Sequence, residues 1–110
     1  MLKAQFTPRN VAYIYTAKEE LAQLGLDTFT ASRGMVNTMA DLKGVDIWVN
    51  FTETDEGILC ELRSAGVNVN PIAVKYGGGG HAKACGATLP DRDAVAHMLN
   101  DLDELMGETK

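Results

Sequence analysis

Cysteine is scarce in this chain. Cys60 and Cys85 are the only two, and their apolar settings exclude the disulfide framework of a small secreted domain. Both read as buried thiols. Long hydrophobic runs are missing too, and nothing approaches the ~20 apolar residues that cross a bilayer. The opening Met1 to Phe6 is cut short by the polar Thr7-Pro8-Arg9-Asn10 and lacks the shape of a secretory signal. These absences point to a cytoplasmic protein with no membrane contact. Basic residues are outnumbered, ten Lys and Arg against fifteen Asp and Glu for a net charge of −5, which argues against a broad basic face for duplex DNA.

Acid is missing locally as well. No Asp or Glu occurs from Leu62 to Pro90, while Arg63, Lys75, His81 and Lys83 all lie there. From Asp91 to Lys110, by contrast, six acids face two bases. A locally positive segment inside an acidic protein suits a small anionic ligand better than a long polymer. The 110 residues suffice for one domain with one core, and a 45% hydrophobic, 23% charged composition is that of a globular domain.

Val11-Ala12-Tyr13-Ile14-Tyr15 is β-rich and reads as a first strand. Thr16-Ala17-Lys18-Glu19 has capping-box spacing and predicts a short helix over 16–25. The apolar steps Met35, Val36, Met39 and Leu42 predict a second helix over 30–42, their methionines core filler rather than ligands. Residues 45–53 alternate as the clearest strand, with Val45, Ile47, Val49 and Phe51 on one side and Asp46, Trp48, Asn50 and Thr52 on the other. Trp48 is either a base-stacking platform or, more simply, packed under a helix. Thr54-Asp55-Glu56-Gly57 supplies turn chemistry, and Ile58 to Arg63 returns as the hairpin partner. Asn70 and Pro71 predict an N-cap and first position of a short helix that Gly77 ends. Cys85 to Leu89 reads as a strand, and Asp91 caps a last helix to about Met106. That helix buries Val95, Met98, Leu99, Leu102, Leu105 and Met106 and turns Asp93, Asp101, Asp103 and Glu104 to solvent. The order β-α-α-β-β-α-loop-β-α predicts an α/β domain: a mixed sheet of four to five strands with helices packed on it.

The element that stands out is Gly77-Gly78-Gly79-Gly80-His81. Glycine loses more backbone freedom on folding than any other residue, so four in a row between apolar segments signal an ordered loop that approaches something closely. Such a loop can aim successive N–H groups at an anion, with His81 and Lys83 adding donors. A plain tight connection is the alternative. Walker A is excluded, because Gly80 is followed by His81-Ala82-Lys83 rather than Lys-Ser or Lys-Thr, and the dinucleotide fingerprint fails in either register. Arg63 and Ser64, at a strand end, supply a planar fork and a hydroxyl that suit phosphate; an arginine paired with a surface carboxylate is the plainer reading. Asn68 and Lys83 are weaker candidates. A Cys85–His81 nucleophile or a zinc site from Cys60, His81, Cys85 and His97 lacks supporting spacing, so the chain alone is not expected to be an enzyme.

The glycine run with His81, the small-residue stretch to Gly86, and Glu61-Leu62-Arg63-Ser64 upstream together resemble the GGGGH-motif domain found C-terminally in DHH-family phosphoesterases. The likeness is greatest to the NrnA-like oligoribonuclease and pAp phosphatase group, with RecJ exonucleases more distant. It extends from about residue 11 to the last helix and is strongest over 45–89. The resemblance implies that residues 1–110 are a substrate-binding domain whose catalytic DHH domain, carrying manganese, lies elsewhere in a parent polypeptide; this chain is expected to hold no cofactor itself. It implies that Arg63 and Ser64 grip a terminal phosphate and sugar while Gly78, Gly79, Gly80 and His81 lie against the nucleotide and the scissile phosphate. The partners expected are short 5′-phosphorylated RNA or pAp, the catalytic domain, and a second copy if the protein dimerises. Two departures stand out: Glu61 replaces a serine common in relatives, and Ala84-Cys85-Gly86 replaces Ala-Ala-Gly. Because strand residues alternate, Glu61 shares a face with Arg63 and can tether its guanidinium. A free-standing module that senses a nucleotide or small anion, and a structural or oligomerisation domain, are the rival readings.

Overall fold

Ile47, Val49 and Phe51 alternate with Trp48, Asn50 and Thr52, and this period of two builds the central strand of the sheet. The computed structural model describes residues 5–19 and 45–108. Its strands are β1 (Gln5–Phe6), β2 (Ala12–Thr16), β3 (Ile47–Thr54), β4 (Gly57–Ser64), β5 (Gly79–Gly80) and β6 (Ala84–Leu89). They form one six-stranded sheet in the order β1-β2-β3-β4-β6-β5. β2 and β3 run parallel, and every other neighbouring pair is antiparallel. The mixed α/β sheet therefore matches the sequence reading. It has more strands than expected, because two-residue strands at both edges carry too little pattern to be read.

Two helices are described. α1 (Asn70–Lys75) links β4 to the glycine run, and α2 (Arg92–Glu108) follows β6. Both pack on one sheet face, where Ile47, Val49, Phe51, Cys60, Leu62, Leu89, Met98 and Leu102 close the main core. Asp91 caps α2 as its position predicts, its carboxylate accepting the Ala94 N–H at 3.0 Å. Ala12, Ile14 and Val45, with Trp48 against them, form a smaller cluster. Asn50 and Thr52, placed on the more polar side by the alternation, are also fully buried. The helices expected over 16–25 and 30–42 lie almost wholly outside the described residues, as does any helix covering Trp48.

Three local expectations are corrected. Thr16 ends β2, and its buried hydroxyl has no hydrogen-bond partner, so no capping box forms around it. The Lys18 N–H instead donates to the Glu53 carboxylate at 3.3 Å. Asn70 is not the cap of α1 either. Val69 holds that place without a side-chain bond, and the Asn68 side chain accepts the Asn70 N–H at 3.1 Å. Finally, two acids of α2 are bound rather than merely solvated. Asp101 accepts from the Tyr76 hydroxyl and from Lys75 at 2.9 Å, and Asp103 accepts the Arg9 N–H at 2.8 Å.

Candidate nucleotide-binding face

The four glycines are not equivalent. Gly77 has φ of 86°, and its N–H reaches the Val74 carbonyl at 3.0 Å while the Gly78 N–H reaches Ala73 at 2.8 Å. This is the Schellman closure of α1, which requires the left-handed backbone that glycine adopts without strain. A β-carbon on Gly78 would overlap the Gly86 carbonyl and the Ala87 backbone. Gly80 has φ of 138°, and a β-carbon there would meet the Ala84 carbonyl at 2.8 Å. Gly79 alone has neither a positive φ nor any described atom within 4 Å of such a carbon. Fold requirements thus account for three of the four glycines and leave Gly79 unexplained.

The run is ordered, as its surroundings predict, but it is a helix stop followed by an edge strand rather than an open loop. The Gly77 and Gly78 amides are consumed inside the fold. Beyond them, His81 and Ala84 exchange both backbone bonds, at 2.9 and 3.3 Å. Antiparallel ladders alternate bonded and non-bonded pairs, so the next pair, Gly80 with Cys85, is non-bonded. The Gly80 N–H consequently points off the free edge of the sheet. Among the described residues the Ala82 and Lys83 amides also have no acceptor. The donors available to an anion are therefore at residues 80, 82 and 83, shifted toward the hairpin tip.

Register assembles the remaining candidates. Arg63 pairs with Ala84 and Glu61 with Gly86 across β4–β6, and Gly86 pairs with Gly79 across β6–β5. Directly opposed residues share a sheet face, so Glu61, Arg63, Ala84, Gly86 and Gly79 lie together, with His81 opposite Ala84 at the outer margin. One Arg63 nitrogen, Nη1, donates to Glu61 at 3.3 Å and to the Leu62 carbonyl at 2.9 Å. Its Nε and Nη2 edge has no acceptor among the described residues. The tether foreseen between Glu61 and Arg63 is present, and it leaves the bidentate edge of the guanidinium open.

Ser64 does not join them. It follows the alternation of Cys60 and Leu62 onto the opposite face, is 7% exposed, and its hydroxyl accepts the Gly66 N–H at 3.2 Å. Asn68 is engaged with Asn70. Lys83 is exposed at the tip, and its carbonyl accepts the Ser64 N–H at 2.9 Å while that of Ala82 accepts from Val69 at 2.8 Å. These two bonds fasten the tip to β4 and to the start of α1, fixing where His81 and Lys83 project. Sequence reasoning passed over the Ala82 and Lys83 amides. Only the observed pairing of His81 with Ala84 makes Ala82 and Lys83 the central residues of a four-residue turn, whose amides stay unbonded.

Burial pushes the Cys60 thiol up to about 12, with Glu61 adding to the effect. Cys85 is likewise raised by burial, against the pull of Arg63. Neither is poised as a nucleophile. Among the described residues no three His, Cys, Asp or Glu side chains converge on a point. Among the same residues no helix is long and apolar enough to cross a membrane.

Known proteins share this fold and parts of this sequence. The DHHA1 domain family matches residues 13–108. The bifunctional oligoribonuclease and PAP phosphatase NrnA of Bacillus subtilis (strain 168) is 36% identical over 97 residues, covering 88% of this chain and 31% of that protein. An exopolyphosphatase-related protein from Bacteroides fragilis superposes with a TM-score of 0.78 at 28% identity, covering 96% of this chain and 33% of that one. The C-Ala domain of Aquifex aeolicus alanyl-tRNA synthetase shares the fold, with a TM-score of 0.63 at 14% identity over 94% of this chain and 97% of that domain. The chain spans about a third of the length of the curated relatives it matches.

Proposed function

Because the chain belongs to the DHHA1 domain family, we propose that it is the substrate-binding part of a phosphoesterase acting on short 5′-phosphorylated oligoribonucleotides or pAp. The observation that carries this reading is the open Nε–Nη2 edge of Arg63 on the same face as Gly79, whose missing side chain the fold does not demand. A ligand that passes close over the β5–β6 ladder explains both.

On this reading the guanidinium takes two phosphate oxygens, His81 and the hairpin-tip amides take further oxygens, and Gly79 lets the nucleotide approach the backbone. Ser64 supports the site from behind by holding the 64–66 turn. This chain's own residues bind and orient. The metal chemistry that breaks the phosphoester belongs to a separate DHH domain of the same polypeptide, for which the extra length of the relatives leaves room.

The test is a titration of the isotopically labelled 110-residue chain with a 5′-phosphorylated diribonucleotide, followed by NMR. Amides of residues 79–84 and the Arg63 side chain should shift, and Arg63→Ala and His81→Ala should each remove the response while keeping the folded spectrum. No shift anywhere, or shifts confined to the groove that Phe6, Tyr13, Ala96 and Leu99 line at the opposite edge of the sheet, would overturn the assignment.

A further inference from the structure

Resting on that reading and narrowing it, we infer that Glu61 is a specificity-determining residue: it makes the Arg63 site favour the singly charged linkage of a short oligoribonucleotide over the doubly charged terminal phosphate that the family likeness assigns to Arg63 and that pAp carries. Its carboxylate lies 3.3 Å from Arg63 Nη1 and within 3.7 Å of where a Gly86 β-carbon would stand. It therefore reaches over the bare Gly86 position that a nucleotide would cross. Both partners of the ion pair are about one-quarter exposed, at 27% and 24%, so the pair is neither fully hydrated nor sealed in the core.

A phosphate on the open edge of Arg63 and the carboxylate on its other edge are separated by little more than the guanidinium itself. That separation is inside the ~8 Å over which salt leaves charges unscreened at physiological ionic strength. One guanidinium already offset by one carboxylate has little net charge left to offer a dianion. Each added negative charge on the ligand meets the same repulsion again, whereas the fork geometry rewards mono- and dianion alike. No other Asp or Glu lies between Leu62 and Pro90, so the segment that forms the rest of the face supplies nothing else of that sign.

The experiment compares adenosine 5′-monophosphate with its methyl ester, the same nucleoside carrying one charge fewer. Calorimetric titration is run at pH 8, where the monoester is a dianion (second pKa about 6). The wild-type chain should bind the methyl ester at least as tightly as the monophosphate. Glu61→Gln should tighten the monophosphate by roughly tenfold and the ester by about threefold, inverting the preference, and Glu61→Asp should keep the wild-type order. Equal weakening of both ligands in Glu61→Gln would mean that Glu61 only holds Arg63 in place, and that overturns the inference. So does an unchanged ratio. If the wild-type chain binds neither ligand, the substrate-binding reading falls with it.

Discussion

Gly79 stands opposite Gly86 in the β5–β6 ladder, so two bare backbones meet on the face that also carries Arg63 and Glu61. Gly86 is held bare by the Cys60 carbonyl, 2.7 Å from where its β-carbon would be, while Gly79 is held bare by no described atom. Adjacent alanine substitutions should therefore part company. Gly78→Ala forces overlap with Gly86 and Ala87 and should cost about 1–3 kcal/mol or more in urea unfolding. Gly79→Ala should be neutral, or stabilising by up to about 1 kcal/mol, yet weaken nucleotide binding at least about tenfold. Loss of stability in Gly79→Ala comparable with that in Gly78→Ala would return the glycine to a purely structural role.

Asp101 ties the end of α1 to α2. Burial alone would raise its pKa, but the Tyr76 hydroxyl and Lys75 outweigh it and hold the carboxyl below its ordinary 3.8. A depressed folded-state pKa means that the stabilisation is complete above 3.8 and fades as pH falls through the lower folded value. Tyr76 is raised to about 12 by burial and by Asp101, so its share is complete below 10 and is lost as pH climbs from 10 to about 12. Asp101→Asn should cost about 1 kcal/mol at neutral pH. The gap from wild type in urea midpoints should stay flat through the neutral range and close at strongly acid pH.

Glu53 offers a control at the other end of the sheet. It accepts from the Tyr15 hydroxyl at 2.6 Å and from Arg92 at 3.1 Å, and these bonds hold its carboxyl below the ordinary range. Its ladder partner is Ile58, whereas Arg63 pairs with Trp48, a separation along the strands of about 17 Å at ~3.4 Å per residue. Glu53→Gln should lower Tm by a few degrees and leave nucleotide affinity within about twofold. A large affinity loss would show that the two ends of the sheet are coupled.

The start of α1 separates two asparagines that look alike in sequence. Asn68→Ala removes the acceptor for the Asn70 N–H and should cost about 0.5–1 kcal/mol in thermal unfolding. Asn70→Ala deletes a buried oxygen that has no partner and should be neutral or mildly stabilising. The reverse ranking would mean that Asn70 caps the helix after all.

Elements with a repeating pattern were legible. The alternation in β3 and β4, the stripe of Val95, Met98, Leu102 and Met106 on α2, and Asp91 as its cap were readable because each depends on neighbours within a few residues. The Glu61–Arg63 contact was readable for the same reason, as two positions on one strand face. What escaped is non-local. Ser64 is the exception: its facing away from Arg63 follows from alternation, and the family likeness to an Arg-Ser pair drew the two together. The unbonded amides depend on which residues of the hairpin pair, and Asp101 meets Tyr76 across 25 positions, beyond any periodicity. Thr16 looked like a cap because its spacing to Glu19 was right, yet β2 claims it first and Glu53, brought alongside by the parallel pairing, receives the Lys18 amide.

Among the described residues the outermost strands of the sheet, Gln5–Phe6 and Gly79–Gly80, are only two residues long. An exposed strand is ordinarily a template on which a foreign chain can add and seed aggregates. Stubs this brief offer too few consecutive backbone groups for such growth. The Gly79–Gly80 edge can leave the Gly80 amide unsatisfied with little hazard of self-association through it.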